Sequence, residues 1–120
     1  MPLTISTEEL KRLIDEKGNY VLIDVREPTE LHYGIIPTAR NIPLREIQFI
    51  LSQLNESELK EKYKFSKEDN LIFYCRTGSR SSDITETAIN HGFSNARNYQ
   101  GSIWEWSQID NSVKRYGPGS

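Results

Sequence analysis

Two short stretches of the chain are apolar almost without a break: Tyr20-Val21-Leu22-Ile23-Asp24-Val25 and Leu71-Ile72-Phe73-Tyr74-Cys75. A strand with one wet face alternates apolar and polar residues. An unbroken run of β-branched and aromatic side chains belongs instead to a strand covered on both faces, as in a parallel sheet. Such strands need helices to cover them. The spacing of Leu10, Leu13 and Ile14 predicts a short helix ending at Gly18, with Ser6 and Glu9 as its capping box and Ile5 and Leu10 at staple positions. Leu44, Ile47, Ile50, Leu51 and Leu54 predict a second, after a Pro-bearing turn at Glu27-Pro28 that opens a short helical stretch. Residues 55–69 are charged and read as a surface helix plus loop, with Glu58 and Lys62 as an i,i+4 pair. A further helix starts near Ser81 or Ser82 and stops at Gly92, and a last one carries Ile103, Trp106 and Val113, with Ser102 and Glu105 as a second capping box. Weaker strands fall at 39–42 and 96–99. The pattern predicts one α/β domain over residues 1–120, a mostly parallel central sheet flanked by helices on both faces.

Charge excludes several partners. Fifteen Lys and Arg stand against 17 Asp and Glu, a net charge of −2, so no general field draws in nucleic acid or an anionic membrane. No apolar run is long enough to span a bilayer. The first residues carry neither a secretory nor a transit pattern, so the expected compartment is the cytoplasm, or the mitochondrion where a targeting segment has been removed. The expected state is a monomer.

The chain has one cysteine and two histidines, His32 and His91, far apart in sequence. That excludes an internal disulfide, a CxxC redox pair and a cysteine-built zinc site, and no metal site is expected. Cys75 is then either an inert core thiol or a single nucleophile. Its surroundings decide. In an open α/β sheet ligands bind beyond the carboxyl ends of the strands, and Cys75 ends one and precedes a helix. The loop Cys75-Arg76-Thr77-Gly78-Ser79-Arg80 has the composition of an anion cradle: Gly78 allows the backbone to reverse so that N–H groups converge, the helix adds its positive end, and two arginines bracket it. A core cysteine needs none of this. The same features lower a thiol's pKa, so Cys75 is expected to be largely thiolate at neutral pH.

Cys-x-x-Gly-x-Arg after a hydrophobic strand resembles the active-site loop of single-domain rhodanese-type sulfurtransferases. Asp24-Val25-Arg26-Glu27 matches that family's strand-end Asp-x-Arg signature. Residues 34–43, Gly34-Ile35-Ile36-Pro37-Thr38-Ala39-Arg40-Asn41-Ile42-Pro43, are similar to its Gly-His-Ile-Pro-Gly-Ala-x-Asn-Ile-Pro segment, and Asn98-Tyr99-Gln100-Gly101-Ser102 through Trp106 to its closing Tyr-x-Gly-Gly…Trp element. Ile35 replaces the family's His, while Thr38 and Ser102 replace glycines. The resemblance implies a rhodanese-like fold and a thiosulfate sulfurtransferase that needs no external cofactor. Cys75 would carry the sulfur as a persulfide, with Arg76, Thr77, Gly78, Ser79 and Arg80 around the substrate and Asp24 and Arg26 in support. It implies a small anionic sulfur donor and a thiol acceptor such as glutathione or thioredoxin, with cyanide serving in vitro. Arg76 is expected to face the donor's sulfonate and Arg80 to brace the loop, pairing with Asp24. Two other functions compete: a persulfide carrier or docking module, and a cysteine phosphatase or arsenate reductase. The phosphatase loop holds five residues between Cys and Arg; here there are four, a tighter cradle that suits sulfur better than phosphate. Trp106 is expected in the core, Trp104 half exposed or at the pocket mouth, and His32 on the surface.

Overall fold

The structure, a computed structural model, describes residues 3–113. The two apolar runs become β2 (Val21–Asp24) and β4 (Leu71–Tyr74), paired in parallel at the centre of the sheet from Val21 opposite Leu71 to Asp24 opposite Tyr74. β5 (Arg97–Tyr99) flanks β4 and β3 (Arg40–Asn41) flanks β2. A two-residue β1 (Thr4–Ile5), which the sequence pattern does not reveal, closes the other edge against β5, giving the order β1-β5-β4-β2-β3 with every pair parallel. The mostly parallel sheet expected is therefore wholly parallel.

Successive strand residues point to opposite faces, so each central strand feeds two cores. Ile23, Leu71, Phe73 and Cys75 pack with Ile47 and Ile50 of α2 (Leu44–Gln53), Leu59 of α3 (Glu56–Tyr63), and Ile84 and Ala88 of α4 (Ser79–Asn90). Leu22, Ile72 and Tyr74 pack on the other face with Leu10 of α1 (Thr7–Asp15) and with Ile103 and Trp106 of α5 (Ser102–Trp106). Helices thus cover both faces, as double-sided burial of β2 and β4 demands. Trp106 is core, while Ile109, beyond the end of α5, is exposed.

The helix termini depart from the sequence reading in instructive ways. Ser6 Oγ caps α1 by accepting from Glu9 N at 3.1 Å, but the Glu9 carboxylate, expected to complete the box, instead takes Arg97 Nη1 at 2.9 Å. Lys17, not Gly18, adopts the left-handed backbone that stops the helix, at φ 52°. Glu58 turns back to the Asn55 N–H at 3.1 Å, completing a capping box for α3 rather than pairing with Lys62. α4 begins at Ser79, because Gly78 at φ 99° is already its N-cap. Ser102 is not a cap at all: Gly101 is, and Ser102 is the first helical residue, fully buried. Among the described residues no helix is long and apolar enough to cross a membrane.

Candidate active site

Cys75 follows the last residue of β4, so a rigid, doubly covered strand carries it to the carboxyl edge of the sheet. Its main chain is pinned from α5. The Cys75 N–H donates to Ser102 Oγ at 3.1 Å, Ser102 Oγ donates to the Tyr99 carbonyl at 3.0 Å, and the Cys75 carbonyl accepts from Ile103 N at 3.1 Å. Arg76 is partly buried, and its carbonyl accepts from Trp104 N at 3.1 Å. The chain then reverses at Gly78. A Cβ there would meet the Gln100 carbonyl oxygen at 2.4 Å, so both the positive φ and the close approach require glycine.

The reversal aims hydrogen-bond donors at the sulfur. Gly78 N–H lies 3.1 Å from Cys75 Sγ, and Ser81 Oγ lies 3.4 Å from it. Burial pushes the thiol pKa up. The hydrogen bonds from the Ser81 hydroxyl and from the main-chain N–H groups of Ser81, Gly78 and Thr77 outweigh it, and the net shift is downward. Those N–H groups belong to the loop and to the first turn of α4, whose dipole adds to the same effect. Ser81 Oγ also lies 3.2 Å from the Gly78 carbonyl. With a thiol, S–H donates to Ser81 and Ser81 donates to Gly78; with a thiolate, the Ser81 hydrogen turns to sulfur. The cradle therefore has a partner for either protonation state.

The nucleophile is covered: Cys75 is only 1% exposed. The turn from Gln100 to Ser102 packs on the loop's main chain, Gln100 against Gly78 and Ser102 Oγ against the Cys75 N–H. Thr77 and Ser79 are exposed on the loop crest and Arg80 is partly buried.

Arg80 does not pair with Asp24. It forms a two-pronged ion pair with Glu30, Nη1 to Oε2 and Nη2 to Oε1 both at 2.8 Å. The Arg80 hydrogen bonds hold the Glu30 carboxyl at about 2, well below the usual carboxylate range. Asp24 pairs instead with Arg26, Nη2 to Oδ2 at 2.7 Å, with both side chains fully buried. Arg26 also donates to the carbonyls of Glu30 (3.0 Å) and Gly34 (2.9 Å), and its guanidinium sits 5.9 Å from the Tyr74 ring centre. Asp24 and Arg26 thus clamp the 3-10 turn at Pro28–Tyr33, and that turn presents Glu30 to the loop. His32 is exposed on the same turn. Ser81, Ser102 and Glu30 were not among the sequence candidates.

The two family glycines that this chain replaces keep the glycine-like backbone. Thr38 stands at φ 73° and Ser102 at φ 55°. Each turns its side chain to use: Thr38 Oγ1 bonds the Tyr20 hydroxyl at 2.9 Å, and Ser102 Oγ holds Cys75 N.

Beside the loop, a cleft of about 420 Å³ runs between the start of α1 and α5, with Thr77 on one wall and Trp104, 39% exposed, on another.

A strand-end cysteine cradled by main-chain N–H groups at the carboxyl edge of a parallel sheet defines a class of α/β proteins that work through one sulfur. The profile of the Rhodanese-like domain family matches residues 6–109, and the chain belongs to that family. A relative from Schizosaccharomyces pombe, named as a putative mitochondrial thiosulfate sulfurtransferase, is 43% identical over 81% of this chain and 69% of its own. The human thiosulfate:glutathione sulfurtransferase is 36% identical over 86% of this chain and 91% of its own. The solved human single-domain sulfurtransferase TSTD1 superposes with a TM-score of 0.76 at 34% identity, covering 89% of this chain and 96% of that one.

Proposed function

We propose that this chain, acting as one domain and as a monomer, is a thiosulfate sulfurtransferase with Cys75 as its sulfur carrier. The observation that carries the reading is the set of donors on Cys75 Sγ, the Gly78 N–H at 3.1 Å and the Ser81 hydroxyl at 3.4 Å, with the thiol pKa lowered in spite of burial. The Cys75 thiolate attacks the outer sulfur of thiosulfate. That S–S bond breaks, its electron pair leaves with sulfite, and Cys75 holds a persulfide anion in place of the thiolate. An acceptor thiolate then attacks the outer sulfur, forming its own persulfide and returning Cys75 as thiolate. Because Cys75 is 1% exposed, the residues around it must part far enough to admit one sulfur atom in each step. The relatives' names support both thiosulfate as donor and glutathione as acceptor. The mitochondrial name of the S. pombe relative supports that compartment beside the cytoplasm.

Steady-state turnover of thiosulfate with cyanide and with glutathione tests the reading. Cys75→Ser abolishes both, because oxygen matches sulfur in size but is a poor nucleophile at neutral pH. Near-normal turnover by that variant contradicts the proposal. Arg76→Ala raises the thiosulfate KM more than it lowers kcat, since its expected part is uniform binding of the donor anion; an unchanged KM removes Arg76 from the donor site.

A further inference from the structure

The cleft beside the loop is chemically unlike the cysteine cradle. Among the described residues lining it there is no Lys or Arg, whereas the cradle is bracketed by Arg76 and Arg80. It offers instead one carboxylate, Glu105, an exposed indole, Trp104, and the hydroxyls of Ser6 and Thr7. Thr7 Oγ1 donates to Glu105 Oε2, which fixes that carboxylate in the cleft wall. A small sulfur dianion gains nothing from such a lining. Its volume, about 420 Å³, falls in the roughly 300–1,000 Å³ range of small-molecule sites, far more than a donor of five heavy atoms would fill.

Two contacts join the cleft to the chemistry. Thr77 belongs to both: it stands in the cysteine loop between Arg76 and Gly78, and it forms part of the cleft wall. Trp104 is tied to the loop by its own N–H, which donates to the Arg76 carbonyl at 3.1 Å. The cleft thus borders the cysteine loop.

Resting on the sulfurtransferase reading, we infer that this cleft is the acceptor site and that it takes the ammonium-bearing end of a peptide thiol, whose carboxylates face solvent. The ammonium group of such a molecule pairs with Glu105, its extended backbone lies on the Trp104 ring, and its thiol is delivered past Thr77. Donor and acceptor then occupy neighbouring sites of opposite character, and Glu105 and Trp104 determine acceptor specificity without touching the donor.

The test uses glutathione as acceptor, cyanide as an acceptor too small to need the cleft, and S-methylglutathione as a ligand that cannot accept sulfur. Glu105→Gln, which keeps the shape and the Thr7 contact, and Trp104→Ala each raise the glutathione KM about tenfold, while the thiosulfate KM with cyanide stays within about twofold. Trp104→Phe restores most of the loss. S-methylglutathione binds the unmodified protein, followed by tryptophan fluorescence, and Glu105→Gln weakens its Kd by a similar factor. If the unmodified protein transfers sulfur to glutathione and neither Glu105→Gln nor Trp104→Ala changes that KM, the acceptor site is elsewhere. If S-methylglutathione binds and depends on Glu105 but thiosulfate is never turned over, the cleft stands as a peptide-thiol site and the sulfurtransferase reading falls.

Discussion

Ser81 has one hydroxyl hydrogen and two acceptors within reach, the Gly78 carbonyl at 3.2 Å and the Cys75 sulfur at 3.4 Å. A hydrogen bond to a charged group is worth more than one to a neutral group, about 1.5–3 against about 1 kcal/mol, so ionisation of the thiol decides where that hydrogen goes. Ser81→Ala removes the choice. Titrated by thiolate ultraviolet absorbance, the unmodified protein ionises below the value of about 8.5 usual for a free cysteine, and Ser81→Ala moves the inflection upward; an unmoved inflection shows that the main-chain N–H groups act alone. Little of this is legible in the sequence. Cys75, Gly78 and the helix start announce themselves by spacing, but Ser81 reads only as a helical residue. Ser102 reads as a cap, because nothing local tells that its hydroxyl reaches back 27 positions to Cys75.

At the scale of elements, the 3-10 turn at Pro28–Tyr33 acts as a strut between the end of β2 and the cysteine loop. Arg26, buried with Asp24, fixes one end by its bond to the Glu30 carbonyl, and the Glu30 side chain grips Arg80 at the other. The Asp-x-Arg signature points to the first half of the strut. The second half joins residues 50 apart in sequence, and nothing local marks Glu30 rather than the strand-end Asp24 as the partner of Arg80. Because the Glu30 pKa is lowered in the folded state, from 4.5 to about 2, the pair contributes its stability fully above about pH 4.5 and loses it as pH falls toward 2. Both side chains keep roughly a third of their exposure, so solvent screening reduces the contribution to about 1 kcal/mol. Glu30→Gln therefore lowers Tm near neutral pH, and its difference from the unmodified protein narrows as pH drops through that window. A Tm difference constant down to pH 2 contradicts the assignment of the stability to Glu30 ionisation.

For the whole molecule, the unbroken apolar runs made the architecture readable: two strands buried on both faces allow few arrangements other than a parallel sheet between helices. The two-residue β1 escaped, since so short an edge strand has no period of its own, and its residues carry the signature of the helix that follows. The sheet places one sulfur at its carboxyl edge, where the loop and the first turn of α4 supply its donors and α5 holds the Cys75 main chain. What the sequence could not convey is the depth of Cys75, because it belongs to a core cluster assembled from separate elements, Ile47 of α2 and Ile84 and Ala88 of α4 among them. The central claim is that this covered thiolate accepts a sulfur atom from thiosulfate. Intact-protein mass spectrometry after incubation with thiosulfate and removal of excess reagent tests it most directly. The account predicts a gain of one sulfur atom, located at Cys75, lost on addition of cyanide and absent from Cys75→Ser; an unchanged mass, or an equal gain in Cys75→Ser, contradicts it.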